Sequence, residues 1–416
     1  MRYRPNRFQI VLLLVILALA YAMATGFAIY YRLSYALGFA LLVTYVWGII
    51  SLRGLEVRAQ RQLGYREVGG TFITQISVTN TAAPKPVLEI TELTTFPGPP
   101  SGRAIGMATH ATHTWTNRII ARGRGVFTIG PIEITAADPF GMFRHSRRFE
   151  TAQQVVVYPT TVPIPLFSLP RRGSPGEGTF RRPTASTSPT VSSVREYVPS
   201  DTLGRIHWPT TVRTGKLMVK QFDQDTGSDV WIVLDLHKAV QAGADAESTE
   251  EYCVTVTASI ARHFLDSGLF VGLFAYGAEP LYVPPNRGYG HQDRIMQSLA
   301  LVKAEGTSPL EEVLEDGRRH GLDQSSVVIV TPSVDPSWPA SASWLFHHGA
   351  QVTTVLIDPT SFGGPGDIAA VGSRLASGGV RTYAVRKDQP LGEAMASPLY
   401  TPTFTLTTPY KPEVPA

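Results

Sequence analysis

The sequence has 416 residues, which is too long for one ordinary domain and predicts two or three folding units. Charged residues make up 17% of it, below the usual quarter, as expected if part of the chain lies in lipid. The net charge of +4, without a Lys/Arg block interleaved with aromatic residues, excludes an ordinary nucleic-acid-binding protein. The single cysteine, Cys253, excludes an internal disulfide, and its apolar helical surroundings predict a small core residue.

Two stretches without charged residues lie near the N-terminus, at residues 8–31 and 33–52. Each reaches the roughly 20 apolar residues that a helix needs to cross the hydrocarbon core of a bilayer. Only Arg32 separates them, and the tyrosines beside it suit a membrane interface. Residues 1–55 are therefore predicted to form a transmembrane hairpin of two helices.

The positive charges around this hairpin predict its orientation. Arg2, Arg4 and Arg7 precede the first helix and four arginines follow the second, against Arg32 alone on the other side. By the positive-inside bias, the N-terminus and the large C-terminal portion then lie in the cytoplasm. A cleavable signal peptide ending near residues 18–20 is the alternative, but the apolar run exceeds the roughly 7–15 residues of a signal-peptide core. Even then, the second stretch would act as a stop-transfer anchor.

Residues 56–162 carry the pattern of short strands. Thr71–Val78 alternates apolar with polar residues, and further short apolar runs follow between Gly and Pro residues, at 87–90, 126–129, 132–134 and 155–158. Short strands joined by such turns predict a small antiparallel β-sandwich. After it, the Pro/Ser/Thr-rich composition of residues 163–193 predicts a linker.

From residue 194 to 398, buried strands alternate with helical stretches. The predicted strands are 230–235, 269–274, 326–330, 352–357 and 380–385, and the helical patterns cover 247–265, 292–303 and 310–320. This alternation predicts βαβ units and a parallel, doubly wound α/β sheet of the Rossmann type, followed by a tail at 399–416. Ligands on such sheets bind at the carboxyl ends of the strands, where Asp235 lies.

Two stretches of the sequence resemble the signatures of one family. The first includes RGRGVFTIGP at 122–131 and the run that contains Asp138, Pro139, Phe140 and Gly141. The second, at 194–217, contains Arg195, Glu196, Tyr197, Asp201, Arg205, His207, Trp208, Arg213 and Gly215. Together they resemble the bacterial "domain of unknown function 58" family. That resemblance implies a von Willebrand factor A-like fold for the C-terminal domain and a MoxR-type AAA+ ATPase as a partner, but it implies no catalytic residue.

The charged and aromatic residues of the second signature have two interpretations. In the first, Arg195, Arg205 and Arg213 pair with Glu196 and Asp201 and fix this segment onto the sheet. In the second, the segment is an exposed recognition surface for a partner protein. The first is favoured, because structural ion-pair networks are common.

The von Willebrand resemblance also raises the question of Mg²⁺, which such domains can hold with an Asp, two Ser, a Thr and a second Asp. Asp235 occupies the first position and Thr307 is a candidate for the Thr, but His237 and Ala239 stand at the serine positions. After the third strand the expected Asp is missing, although Asp335 follows. Too few oxygen ligands remain for a hard cation, so neither Mg²⁺ nor another cofactor is expected.

The sequence has no Walker A, H-E-x-x-H, C-x-x-C or G-x-S-x-G motif, so an enzyme is not expected. The leading hypothesis is a membrane-anchored adaptor or scaffold that faces the cytoplasm. Its C-terminal domain would bind a protein, with a MoxR-type ATPase as the expected partner, in the assembly or maturation of other proteins. A metal-dependent ligand-binding domain and an enzyme of unrecognised type remain as alternatives.

Overall fold

The computed structural model describes residues 5–62, 64–138, 140–169, 191–198, 206–222 and 229–400. The chain divides into two compact units, Met1–Thr161 with Met296–Val302, and Val162–Ile295 with Lys303–Ala416. Three predicted signature residues, Pro139, Asp201 and Arg205, lie outside the described residues, as do 170–190 of the predicted linker and 401–416 of the tail.

Within the described residues, two apolar helices are long enough to cross a membrane. They are α1 (Pro5–Thr25) and α2 (Ala28–Ser51). The turn between them lies at Gly26 and Phe27, and the interruption predicted at Arg32 falls instead inside α2. Gly26 has a φ of 71°, a left-handed conformation that glycine adopts without strain, and its N–H is bonded to the carbonyl of Ala22. The left-handed conformation of Gly26 therefore sets the position of the turn between the two helices.

The buried residues of α2 are small or polar, namely Ser34, Thr44, Gly48 and Ser51. Small side chains allow two apolar helices to approach closely. The Ser34 and Thr44 hydroxyls donate to the carbonyls of Tyr30 and Ala40, each at 3.0 Å, so they are satisfied by the backbone of their own helix.

The rest of the first unit is a sandwich of two sheets. Its strands are β1 (Leu55–Arg61), β2 (Arg66–Glu67), β3 (Thr71–Asn80), β4 (Lys85–Thr94), β5 (Ser101–Met107), β6 (Thr112–Ile120), β7 (Gly125–Ala137), β8 (Arg144–Phe149) and β9 (Gln153–Tyr158). One sheet has the order β1–β3–β6, and the other has β2–β9–β7–β4–β5, with β8 also paired to β7. A core cluster draws Ile76 and Val78 from the first sheet and Leu88, Ile90 and Ile132 from the second. The sandwich is antiparallel except for β2, which pairs in parallel with β9.

β7 passes through Gly130–Pro131, where the sequence predicted a break between two strands. On one edge it changes partner at this point, because its pairing with β9 ends at Ile129 and its pairing with β8 begins at Ile132. Pro131 has no N–H to donate, and it stands in the gap between the two ladders where no donor is needed on that edge. The long strand therefore tolerates a proline.

The second unit contains a mixed sheet of six strands and helices that pack against it. Its strands are β10 (Val191–Glu196), β11 (Met218–Phe222), β12 (Val230–Leu234), β13 (Gly243–Ala244), β14 (Glu247–Ser248), β15 (Val271–Tyr276), β16 (Pro280–Asn286), β17 (Ser326–Thr331), β18 (Gln351–Ile357) and β19 (Arg381–Val385). The helices are α3 (Trp208–Thr214), α4 (Thr249–Asp266), α5 (Tyr289–Leu301), α6 (Leu310–Arg318), α7 (Trp338–His347), α8 (Ile368–Ser377) and α9 (Leu391–Ala394). α5 extends across the boundary between the two units.

The large sheet has the order β16–β15–β12–β17–β18–β19. The five predicted strands are all present and parallel, and their residues are almost entirely buried. The sixth strand, β16, runs antiparallel at the edge and was not predicted, since its three prolines resemble a loop. Edge strands tolerate proline because one side of the strand has no ladder to complete.

An ion pair buried in the sandwich provides a test of its packing. Arg61 Nη2 lies 3.0 Å from Glu92 Oε1, and the two side chains are 3% and 0% exposed. Asn117 Nδ2 donates to the other Glu92 oxygen at 3.1 Å. We expect Glu92→Ala to destabilise the unit by about 3–5 kcal/mol, because it leaves a buried charge unpaired. In detergent, thermal unfolding should then begin roughly 10 °C lower.

Glu133→Ala is the matched control, because it removes the partner of Arg148 (3.2 Å) from a pair in which the arginine is largely exposed. Its effect should stay below about 1 kcal/mol. Equal losses in the two variants would contradict the proposed difference between buried and exposed pairs.

Candidate functional site

The carboxyl edge of the six-stranded sheet brings the predicted residue Asp235 together with Thr331, which was not a candidate in the sequence. Asp235 directly follows β12 and is buried, and Thr331 ends the neighbouring strand β17. The Thr331 hydroxyl donates to Asp235 Oδ2 at 2.6 Å, and the His237 N–H donates to Oδ1 at 2.9 Å. Both carboxylate oxygens of Asp235 therefore already accept hydrogen bonds from the protein.

The loop after β17 is held to the same network. The Ser333 N–H donates to Thr331 Oγ1 at 2.8 Å, and the Trp338 indole N–H donates to the carbonyl of Ser333 at 3.3 Å. Asp335 accepts from the N–H and the hydroxyl of Ser337, at 2.8 and 2.7 Å. These contacts fix the loop through its own side chains.

The two aspartates of this edge differ in their electrostatics. Burial raises the pKa of Asp235, an effect that the hydrogen bonds from Thr331 and His237 oppose. The hydrogen bonds from Ser337 lower the pKa of Asp335. His237 adds a further electrostatic lowering to both pKa values, as the last of these effects.

The metal ligands considered at this edge do not fit a Mg²⁺ site. Both carboxylate oxygens of Asp235 accept hydrogen bonds from the protein, Ala239 has no side-chain atom that could bind a cation, and Thr307 is exposed. Within the described residues, no group of three or more His, Cys, Asp or Glu side chains is placed to hold a metal ion.

Asp358 is a buried carboxylate at the same edge that was not identified from the sequence. It directly follows β18 and accepts from the N–H and hydroxyl of Thr360, at 3.1 and 2.6 Å. Arg386, which follows β19, donates its Nε–H to Asp358 Oδ2 at 3.2 Å. The available signal was an aspartate immediately after a buried strand, as at Asp235; nothing in the sequence marks Arg386.

The second signature forms a small separate element. β10 pairs with β11 in a two-stranded antiparallel sheet, and α3 precedes β11. The bounds of α3 are set by His207, whose Nδ1 lies 2.7 Å from Thr210 Oγ1, and by Gly215, whose φ of 69° ends the helix. Thr211 Oγ1 accepts from the Met218 N–H at 3.0 Å and connects the helix to β11.

α3 presents apolar side chains to solvent. None of its seven residues, all of which the structure describes, is buried. Trp208 is 61% exposed and Val212 is 81% exposed, and their spacing of four residues places them on one face. We call Trp208 and Val212 the α3 surface.

The charged residues of this signature are only partly described. Glu196 lies 2.6 Å from Lys216 Nζ, a partner that the sequence did not indicate, and both side chains are exposed. Arg213 is exposed. The side chain of Arg195 lies outside the described residues, like Asp201 and Arg205, so the predicted arginine network stays a prediction. Tyr197 donates its backbone N–H to the carbonyl of Leu217 at 2.8 Å.

Asp138, Phe140 and Gly141 of the first signature lie in the turn between β7 and β8. Asp138 is buried and accepts from the backbone N–H groups of Phe140 and Phe143, at 3.0 and 2.6 Å. Gly141 has a φ of 68°, which allows the chain to reverse direction. Phe140 lies at the tip of the turn and is 63% exposed.

Comparison with known proteins finds a family similar to part of this chain. A family model described as "Protein of unknown function DUF58" matches residues 193–363. The matched region of this chain resembles that family. It includes the whole second signature and the strands β11 to β18, whereas the first signature lies outside it.

The curated relatives are uncharacterised proteins. "Uncharacterized protein YeaD" of Bacillus subtilis is 25% identical over 209 residues, which cover 50% of each chain. "Uncharacterized protein Rv1480" of Mycobacterium tuberculosis is 24% identical over 204 residues, 46% of this chain and 62% of the relative. The chain thus spans about half to three-fifths of the length of these relatives.

Solved structures give weaker similarity. Proximal thread matrix protein 1 from the mussel byssus aligns with 14% identity and a TM-score of 0.31, over 41% of this chain and 46% of that one. The CARDB domain of the PF1109 protein from Pyrococcus furiosus aligns with 13% identity and a TM-score of 0.19, over 25% and 86%. Scores this low support no argument about the fold.

Substitution of Asp235 tests whether its carboxylate is structural. Asp235→Ala should destabilise the protein by about 1–3 kcal/mol, because the His237 N–H and the Thr331 hydroxyl lose their acceptor. Asp235→Asn keeps a side chain of the same shape that can accept from the His237 N–H. Burial raises the folded-state pKa of Asp235 above 3.8, so its contribution to stability is largest at acidic pH and declines as the pH rises through that pKa.

Because asparagine does not titrate, the stability of Asp235→Asn relative to the unmodified chain should rise as the pH increases from about 4, the unfolded-state pKa, through the raised folded-state pKa. Thermal unfolding across that range measures this difference, and calorimetric titration with Mg²⁺ and Mn²⁺ should give no binding heat. A Mg²⁺ heat that Asp235→Asn abolishes would make the carboxylate a metal ligand and contradict the structural role.

Proposed function

We propose that this chain is a membrane-anchored protein-binding module in which the α3 surface docks a partner protein. The observation that carries the proposal is the exposure of Trp208 and Val212 on one face of a helix within the region matched by the family model. Tryptophan is the residue type most enriched at the energetic centres of protein interfaces, since it buries a large apolar area and retains one donor.

The hydrogen bonds at the carboxyl edge of the large sheet favour a protein-binding function over a metal-binding one. The carboxylates of Asp235 and Asp358 already accept hydrogen bonds from nearby groups of the protein, His237 and Thr331 for Asp235 and Thr360 for Asp358. The strand order, with an antiparallel strand at one edge and the chain crossing to the other side of β12 after β16, is in keeping with the von Willebrand factor A-like fold implied by the resemblance. In this proposal the domain acts through its surface, and it is not an enzyme.

The membrane part of the proposal rests on α1 and α2 and on their flanking arginines. Arg2, Arg4 and Arg7 precede the hairpin, and Arg53, Arg58, Arg61 and Arg66 follow it. The buried pair that Arg61 makes with Glu92 removes it from this balance, but six arginines still stand against Arg32. The bias favours a cytoplasmic C-terminal portion. In the cytoplasm the α3 surface is accessible to a MoxR-type AAA+ ATPase, the partner implied by the family resemblance.

The first test is recovery of the partner after mild crosslinking in native membranes. The combined variant Trp208→Ala and Val212→Ser should reduce recovery of a MoxR-type ATPase about tenfold or more, because it removes the apolar anchor of the interface. Tyr289→Ala is the matched control, since Tyr289 is an aromatic residue of the same unit and is largely exposed. Quantitative mass spectrometry measures the recovery.

Two outcomes would contradict this docking surface. One is equal ATPase recovery with the α3 variant and with Tyr289→Ala. The other is the absence of any ATPase from the crosslinked complexes of the unmodified chain.

Orientation has its own test, which uses the burial of the single cysteine. Cys253 is buried, so the unmodified chain should react slowly with a maleimide that cannot cross membranes. Phe27→Cys places a thiol at the exposed turn of the hairpin and should be labelled in intact cells. Val212→Cys places one on the cytoplasmic portion and should be labelled only after permeabilisation. Labelling of the two variants in the opposite order would invert the topology.

A further inference from the structure

The β7–β8 turn packs directly against the apolar hairpin. Phe143 lies between Phe8 of α1 and Tyr45 of α2, with ring centroids 5.2 and 5.5 Å apart. Arg7 Nη1 donates to the carbonyl of Phe140 at 3.1 Å. The His145 ring lies 5.2 Å from Tyr45.

His145 also shows how closely the two parts fit. It occupies the space in which a Cβ at Gly48 would stand, only 2.3 Å from the nearest ring atom. Lys85, which is buried, donates to the carbonyl of Ile50 at 3.0 Å near the end of α2. The end of the hairpin is therefore held by three separate strands of the sandwich, β4, β7 and β8, and by the turn between the last two.

These contacts place the turn beside the helices rather than beyond their ends. Tyr45 precedes the last residue of α2, Ser51, by six positions, or about 9 Å along the helix axis. Phe8 belongs to the first turn of α1. If the hairpin crosses the bilayer, the tip of the turn then reaches the level of the lipid headgroups, where aromatic side chains are favoured.

The exposed residues around this tip combine one apolar side chain with positive charges. Phe140 is 63% exposed, and Arg7 and Arg144 are exposed beside it. Arg53 is exposed directly after α2. We call these four residues, Arg7, Arg53, Phe140 and Arg144, the collar.

Asp138 and Glu89, two acidic residues near the collar, do not neutralise it. Asp138 is buried within the turn, where it accepts from two backbone N–H groups. Glu89 lies 3.9 Å from Arg144, but both side chains are more than half exposed, and such pairs contribute little. The collar thus keeps a positive character beside an apolar side chain.

We infer that the collar binds the headgroups of anionic phospholipids, with Phe140 inserted among them. Guanidinium groups donate several hydrogen bonds in a plane and are suited to phosphate oxygens. Lipid is the occupant because Arg7 and Arg53 lie at the ends of the two helices, and Phe140, bonded to Arg7, lies in the turn packed beside them, where headgroups stand if the helices span the bilayer. This inference rests on the membrane anchoring in the proposed function and is independent of the α3 surface.

Insertion of Phe140 can be measured in the full chain reconstituted into phosphatidylglycerol-containing vesicles. Phe140→Cys carries a fluorescent label, and lipids with a spin label near the headgroup should quench it. Val126→Cys is the control, because Val126 is exposed at the other end of β7, about 36 Å away along the strand. The label at position 126 should remain unquenched.

Headgroup preference is measured by native mass spectrometry of the detergent-solubilised chain with equal amounts of phosphatidylglycerol and phosphatidylcholine. Arg53→Gln and Arg144→Gln should each lower the preference for bound phosphatidylglycerol about fivefold. Arg148→Gln removes the same charge from an arginine that pairs with Glu133 farther along β8, and it should leave the preference unchanged. Arg7 is kept, because it also holds the turn.

Three results separate the possible failures. Carbonate extraction of the same vesicles reports whether the hairpin is inserted. Release of the chain from the vesicles by carbonate would overturn the proposed membrane anchoring. An inserted hairpin with the label at position 140 quenched no more than the label at position 126 would overturn only the collar. So would an equal loss of phosphatidylglycerol preference in Arg148→Gln and Arg144→Gln.

Discussion

An aspartate placed directly after a buried strand holds the chain at three critical points. Asp138 follows β7, Asp235 follows β12 and Asp358 follows β18. Each is buried, and each accepts from the backbone N–H two residues later, at 3.0, 2.9 and 3.1 Å. A strand that ends in the protein interior leaves N–H groups without partners, and leaving such groups unsatisfied is unfavourable. A short carboxylate at the strand end satisfies them and turns the chain.

This constraint also explains why buried acidic residues here do not indicate catalysis or metal binding. A strand-end aspartate at the carboxyl edge of a parallel sheet lies where such sheets bind ligands, so the sequence made Asp235 a candidate metal ligand. Its oxygens instead accept from Thr331 and His237. Asp138 uses its oxygens to hold the turn that packs on the hairpin.

The sequence was most informative where one physical pattern dominated. Long apolar runs predicted both apolar helices, and continuous buried runs predicted all five parallel strands, since burial on both faces leaves a strong compositional signal. It failed where the outcome depended on local conformation or on position in the sheet. Gly26, not Arg32, forms the turn of the hairpin, and the prolines of β16 are tolerated because that strand lies at an edge.

The site residues show the same division. Alternation of strands and helices indicated the edge at which Asp235 lies, but only the structure shows that Thr331 and His237 donate to its two oxygens. Asp358 and Arg386 meet because β18 and β19 are neighbours, and that pairing of strands has no local sequence signal. The exposure of Trp208 was equally hidden, because an isolated tryptophan is compatible with a core or a surface position.

The way in which α3 is held bears on what its exposed face is for. A helix of seven residues is too short to be stable alone, and most short helices are stabilised by burying an apolar face. α3 buries none of its described residues, and it is fixed instead by polar contacts at its ends and by its connection to β11. Those contacts keep Trp208 and Val212 ordered while both remain in water. Ordering the side chains before binding reduces the conformational entropy lost when a partner covers them, so the arrangement favours docking of a protein on this face.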